Sequence, residues 1–172
     1  MTPFEQALMV TLRFEGGFSD DPADPGGATN LGVTHAVWEA WCVERGIPVK
    51  PMRDLTPADV APLYEHRYWQ PARCREMPLP LALIHFDCAV NSGVGQAARL
   101  FQRAAGVTVD GVLGPISLGH VTNPGVVERY LLERVWFYRS LVSQKATLGK
   151  FLVGWLRRLE SLAHPASLFA KR

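Results

Sequence analysis

Cysteine is scarce in this sequence. Cys42, Cys74 and Cys88 are three thiols in 172 residues. An odd count without a CxxC pair argues against a disulfide framework and against thiolate-bound zinc. Buried thiols in a reducing compartment are the expectation. Long apolar runs are missing as well. None approaches the ~20 residues that a membrane-spanning helix needs, so stable membrane insertion is not expected. The first residues, MTPFEQALMVTLRFEGG, lack a basic start, and Glu5 and Arg13 interrupt their apolar face. They read as a folded helix rather than a signal peptide. Clean apolar–polar alternation, internal repeats and low-complexity linkers are also lacking. The acidic residues do not follow the EF-hand spacing, and no metal site is expected.

What is present suffices for a core. The chain is 48% hydrophobic and long enough to fold without disulfides or metal. Its formal net charge is +2, but the charge is uneven. Residues 1–120 carry nine Lys and Arg against thirteen Asp and Glu, whereas residues 121–172 carry nine against three. The basic final third, with Arg157, Arg158, Lys171 and Arg172, is either a solvated face or a docking face for an anionic partner. Nucleic acid, an anionic membrane and a wall polymer all fit that description.

Helix signals punctuate the chain. Thr2 caps a helix that starts at Pro3, carries Phe4, Leu8, Met9 and Leu12 on one face, and should end near Glu15 before Gly16-Gly17. Residues 16–33 read as a loop or short irregular hairpin. Thr34 caps a second helix that Gly46 ends. Thr56 and Pro57 start a third, which runs to about Trp69 before Pro71. A strongly apolar helix begins near Pro80 and ends at Gly93, and VGQAARLFQRAAG follows. Pro115 launches a short helix. After Asn123-Pro124 a long one carries Val127, Leu131, Val135, Tyr138 and Val142 as its apolar stripe, and GKFLVGWLRRLESLA is the last. The expectation is a mainly α fold of about seven or eight helices, in one or two lobes.

The stretch RFEGGFSDDPADPGGATNLGVT, from Arg13 to Thr34, stands out. A carboxyl at a helix end beside Phe14 and Phe18 can be partly desolvated, which favours the protonated form that a general acid needs. The adjoining glycines let a bulky polymer approach the backbone. Asp20, Asp21 and Asp24 follow on a loop that can fold back across a cleft. An acid on one side and a carboxylate on the other is what glycosidic cleavage requires. The same residues also suit a solvated helix end followed by an Asx turn.

Other residues could line such a cleft. Trp38 and Trp41 share a helix face, and Tyr68 and Trp69 end the third helix. Their rings suit sugar stacking or core packing. His35 reads as a solvated first-turn residue. Asn91 lies four residues after Asp87, so the two side chains could meet and tie the helix to the loop. Alternatively Asn91 faces the cleft and holds an acetamido group, or it simply closes the helix. Asp110-Gly111 and Gly114-Pro115 in VDGVLGP suit tight turns.

FEGGFSDDPADPGGATNLGVT closely resembles the signature of glycoside hydrolase family 108, whose members are peptidoglycan-cleaving N-acetylmuramidases among phage endolysins and bacterial proteins once labelled secretion activators. The likeness continues through LTPADVAPLYEHRYWQPA and LALIHFDCAVNSGVGQAARLFQRAAG. VDGVLGPIS is similar to that family's C-terminal predicted peptidoglycan-binding region. The resemblance implies a lysozyme-like fold, with residues 1–93 as catalytic region and 94–172 as a helical peptidoglycan-binding region in the same globule. It implies Glu15 as general acid, no cofactor, and cleavage of the β-1,4 bond between N-acetylmuramic acid and N-acetylglucosamine. Phage-type lysozymes share a looser Glu–Asp–Thr pattern that Glu15, Asp24 and Thr29 fit, with Asp and Thr holding a water. Asp20 and Asp21 remain open for the Asp role, and Asp24 is preferred because it precedes Pro25-Gly26-Gly27. Trp38, Tyr68, Trp69 and Asn91 are the candidate sugar contacts. Peptidoglycan is the expected partner, not nucleic acid, and the expected state is a monomer. Synthesis in the cytoplasm and action on the periplasmic wall after release complete the expectation. A lytic transglycosylase, and a non-catalytic wall-binding or secretion-assisting protein, are the alternatives.

Overall fold

The computed structural model describes residues 1–20 and 27–164. Asp21, Asp24, Lys171 and Arg172 therefore lie outside the described residues. The fold is mainly α, as expected, with eight α-helices among the described residues. The chain divides into two compact units, Met1–Arg67 and Tyr68–Arg172.

The first unit holds α1 (Pro3–Leu12), a hairpin of β1 (Thr29–Asn30) and β2 (Val33–Thr34), α2 (His35–Arg45) and α3 (Pro57–Tyr64). α1 begins with a capping box: Glu5 N–H donates to Thr2 Oγ1 at 3.2 Å, and Thr2 N–H donates to Glu5 Oε2 at 2.7 Å. It buries Ala7, Leu8, Val10 and Thr11 and packs against α3. The helix stops at Leu12, three residues short of Glu15, so Glu15 stands in a bend beyond the helix rather than at its last turn. α3 repeats the capping box with Thr56 and Asp59. Lys50 Nζ reaches the same carboxylate at 2.8 Å, and its hydrogen bond, with those of Thr56, holds the Asp59 carboxyl down at about 2. Beyond Tyr64 the helix widens into one π turn, Glu65–Trp69, which reaches the Trp69 expected as its end.

The second unit is built on α4 (Leu79–Ser92), α5 (Val94–Ala105), the short α6 (Pro115–Leu118), α7 (Val126–Gln144) and α8 (Gly149–Ala163). α4 is buried without interruption from Leu81 to Ala89, because α5 and α7 both pack on it. On α7 the apolar stripe differs from expectation. The fully buried line is Val126, Tyr130, Arg134 and Tyr138, while Val127, Leu131, Val135 and Val142 are half-buried. The line is hidden from an apolar count because an arginine occupies its centre. Arg134 is tolerated there because its Nη2 donates to Asp87 Oδ2 of α4 at 2.7 Å, with neither side chain exposed to solvent. Arg158 of α8 donates to the other oxygen, Asp87 Oδ1, at 2.7 Å. One carboxylate thus joins three helices. Cys42, Cys74 and Cys88 are all buried free thiols.

Candidate active site

The hairpin between α1 and α2 organises the region around Glu15. Thr29 pairs with Thr34 and Asn30 with Val33, leaving Leu31 and Gly32 as a two-residue turn. Both turn residues have positive φ, +51° at Leu31 and +73° at Gly32. That pair of signs matches the hand of the strand twist in tight hairpins. Gly32 adopts it freely, whereas Leu31 is strained, and surrounding contacts must hold it there. Tyr64 of α3 supplies one such contact, its hydroxyl donating to the Leu31 carbonyl at 2.9 Å. Asn30 supplies another: its buried side-chain amide donates to the Met52 carbonyl at 2.7 Å.

Glu15 is half-buried against this turn. A Cβ added at Gly32 would stand 3.0 Å from both Glu15 Cγ and Glu15 Oε2, and 2.5 Å from Tyr64 Oη. The glutamate carboxyl and the tyrosine hydroxyl therefore border one small notch that exists because residue 32 has no side chain. Ser19, four residues after Glu15, is tied down too. Ser19 and Thr29 exchange two backbone hydrogen bonds, of 2.9 and 2.8 Å, closing the intervening loop at its base. Thr29 is half-buried on that base, and Asp20 is exposed just beyond it. Asp24, the preferred second carboxylate, lies outside the described residues. The notch thus gathers Glu15, Gly32 and Tyr64, and the closed loop base ends at Thr29.

The aromatic candidates divide. Trp38 is 3% exposed, and its indole N–H donates to the Lys50 carbonyl at 3.0 Å. Trp69 is 3% exposed and packs edge-on against Phe86. Rings so buried stack on protein, not on a sugar, which corrects the expectation for both. Trp41 is likewise buried, under the Arg45 guanidinium at 4.3 Å. Tyr68 is half-buried in the second unit, and His35 is exposed in the first turn of α2. Asn91 is exposed, but its side chain does not meet that of Asp87. It donates to the Asp87 backbone carbonyl at 2.8 Å, because both Asp87 oxygens face the arginines of α7 and α8. Tyr64, Gly32 and Asn30 were not singled out as site residues from the sequence. The available signal was weak: a tyrosine on a buried helix face needs a partner for its hydroxyl, but the sequence does not say which.

Two family models match the chain. One, described as glycosyl hydrolase 108, covers residues 8–93. The chain belongs to glycosyl hydrolase family 108. The second, described as a predicted peptidoglycan domain, covers residues 96–160. A family 108 chain with such a region belongs with the peptidoglycan hydrolases, and peptidoglycan is its indicated partner. Among solved structures it is similar to that of Brucella abortus SagA, at 25% identity and a TM-score of 0.71, over 98% of this chain and 96% of that one. No curated protein matches it.

Within the family 108 match fall Glu15, the hairpin and Tyr64. Within the second match falls VDGVLGP, a turn stapled by Gln102. The Gln102 amide donates to Asp110 Oδ1 at 2.7 Å and to the Val112 carbonyl at 3.0 Å, and its oxygen accepts from Gly111 N–H at 2.8 Å. Gly111 sits at φ +84°, where a side chain is strained, and a Cβ there would stand 2.7 Å from the Arg99 guanidinium carbon.

Proposed function

We propose that this chain is an N-acetylmuramidase that hydrolyses the β-1,4 bond between N-acetylmuramic acid and N-acetylglucosamine in peptidoglycan. Glu15 protonates the leaving glycosidic oxygen. Asp24, with Thr29, holds the water that attacks the opposite face of the sugar. Tyr64 acts through the hairpin: by fixing Leu31 it keeps Gly32, and hence the Glu15 carboxyl, in place. The observation that carries this reading is the half-buried Glu15 seated against the side-chain-free Gly32 inside the family 108 match. A packed notch fixes one carboxylate geometry and leaves the glycine backbone open to a polymer.

Digestion of purified sacculi tests the reading. Glu15→Gln keeps the shape and removes the proton donor, so release of muropeptides should fall at least about 100-fold. Mass spectrometry of the wild-type products should show reducing muramic ends. Anhydro-muramic ends would replace hydrolysis by transglycosylation. A Glu15→Gln variant that still digests sacculi would remove Glu15 from the chemistry.

A further inference from the structure

The outer face of α7 carries an apolar feature that the core does not explain. Trp136 is 62% exposed and Leu132 57%. Arg129, Leu132, Trp136 and Arg139 are spaced i, i+3, i+7 and i+10, so they form one stripe along the helix, opposite the buried line of Val126, Tyr130, Arg134 and Tyr138. The Arg139 guanidinium lies 5.7 Å from the Trp136 ring centroid, which orients the ring and keeps a cation beside it. Arg129 is anchored at the other end by hydrogen bonds to the carbonyls of Ala104 at 2.8 Å and Pro124 at 3.1 Å. Ser140 is exposed on the same side.

We infer that this Arg129–Leu132–Trp136–Arg139 stripe is a docking surface for the glycan strand of peptidoglycan. The inference rests on the reading that the chain acts on peptidoglycan, and adds where the wall is gripped away from Glu15. An exposed indole offers a flat apolar face to the C–H side of a pyranose. The Arg139 guanidinium matches the carboxylates of muramyl stem peptides, to which a guanidinium can donate in pairs, while Arg129, held by its two carbonyls, adds positive charge at the other end. Exposed cations dominate the final helices: Arg129, Arg139, Lys145, Lys150 and Arg157 against Glu128 and Glu160. The stripe also lies inside the stretch that matches the predicted peptidoglycan domain. Other occupants fit less well. Two apolar side chains are too few for interfacial burial in a bilayer, which takes a whole helix face. A second copy crossing this face antiparallel would set Arg129 against Arg139 of its partner, like charges facing across the contact. Arg158 has no part in this surface, since it is spent on buried Asp87.

The test is co-sedimentation with purified sacculi, using the Glu15→Gln chain so that the wall survives. Adding Trp136→Ala should weaken binding about tenfold, equivalent to one lost stacking contact of ~1.4 kcal/mol. Trp136→Phe should restore most of it, and Arg139→Gln should weaken binding and reduce its salt sensitivity. Unchanged sacculus affinity in the Trp136→Ala chain, with an unaltered melting curve, overturns the inference. So does a wild-type dimer that this substitution dissociates, or a loss confined to anionic phospholipid vesicles. Failure of the muramidase reading shows separately, as wild-type protein that binds sacculi through Trp136 without releasing sugar.

Discussion

Tyr64 donates its hydroxyl proton to the carbonyl of Leu31 at 2.9 Å, so α3 holds the tip of a hairpin 33 positions earlier in the chain. Leu31 sits at φ +51°. Without that hydrogen bond the turn can relax, and Gly32 and the Glu15 carboxyl beside it can shift. Tyr64→Phe keeps the ring in the core and removes only the donor. We expect turnover on sacculi to fall about tenfold with little change in apparent KM, since misplacement of a reacting group acts on the chemical step. Stability should drop by only about 0.5–1.5 kcal/mol. A proportional rise in KM at constant kcat would instead assign Tyr64 to substrate binding.

Gly32→Ala asks more of the same notch. The added methyl carbon would stand 2.5 Å from Tyr64 Oη and 3.0 Å from Glu15 Oε2, on a backbone at φ +73°. Tyr64, Glu15 or the hairpin must move, and a shift of any of them disturbs the notch. Lysis should fall by about 100-fold or more, the scale of a displacement near 1 Å at a reacting centre, with a folded circular-dichroism spectrum. Full activity in this variant would mean that the notch is unrelated to the chemistry.

Asp87→Asn leaves two buried guanidiniums without their shared anion. Removing one partner from a buried ion pair costs about 3–5 kcal/mol. For a chain of this size that lowers Tm by roughly 6–20 °C. Scanning calorimetry of wild type and variant measures the difference directly. A loss below about 1 kcal/mol would show that solvent or a rearranged partner compensates the arginines.

His85 gives the fold an acid limit. Its imidazole is fully buried, with Nδ1 2.8 Å from Tyr130 Oη. Burial, with the Arg134 charge nearby, pulls it from the ordinary 6.5 down to about 3. Between those values the unfolded chain binds the proton and the folded chain does not. The stabilisation is therefore complete above about pH 6.5 and drains away as pH falls toward 3, at up to about 1.4 kcal/mol per pH unit. His85→Gln should remove that one-proton slope from urea unfolding between pH 6.5 and 4.5, whatever it does to stability at neutral pH. Parallel pH dependences for the two proteins would show that His85 is not buried neutral.

Local chemistry alone determined much of this protein. Thr2 and Thr34 start helices because a hydroxyl can accept from the N–H groups that a helix start leaves free, Thr56 starts one with its own N–H and hydroxyl held by the Asp59 carboxylate, and Gly46 ends one because it adopts the left-handed turn without cost. The glycine-rich acidic stretch after α1 was legible as a candidate site through its likeness to the family 108 signature, because acidic residues and glycines by themselves equally suit an ordinary turn. Tertiary packing decided the rest. Residue spacing showed Trp38 and Trp69 as possible sugar platforms, but a ring at helical spacing turns toward whichever surface buries it, and here both rings were buried. Nothing local to Arg134 marks it as a core residue; it became one because Asp87 of another helix faces it. The notch likewise depends on contacts across the chain. Glu15, Gly32 and Tyr64 are far apart in sequence, and only packing α3 against α1 with the hairpin folded between them in the chain brings a carboxyl and a hydroxyl to a position that has no side chain.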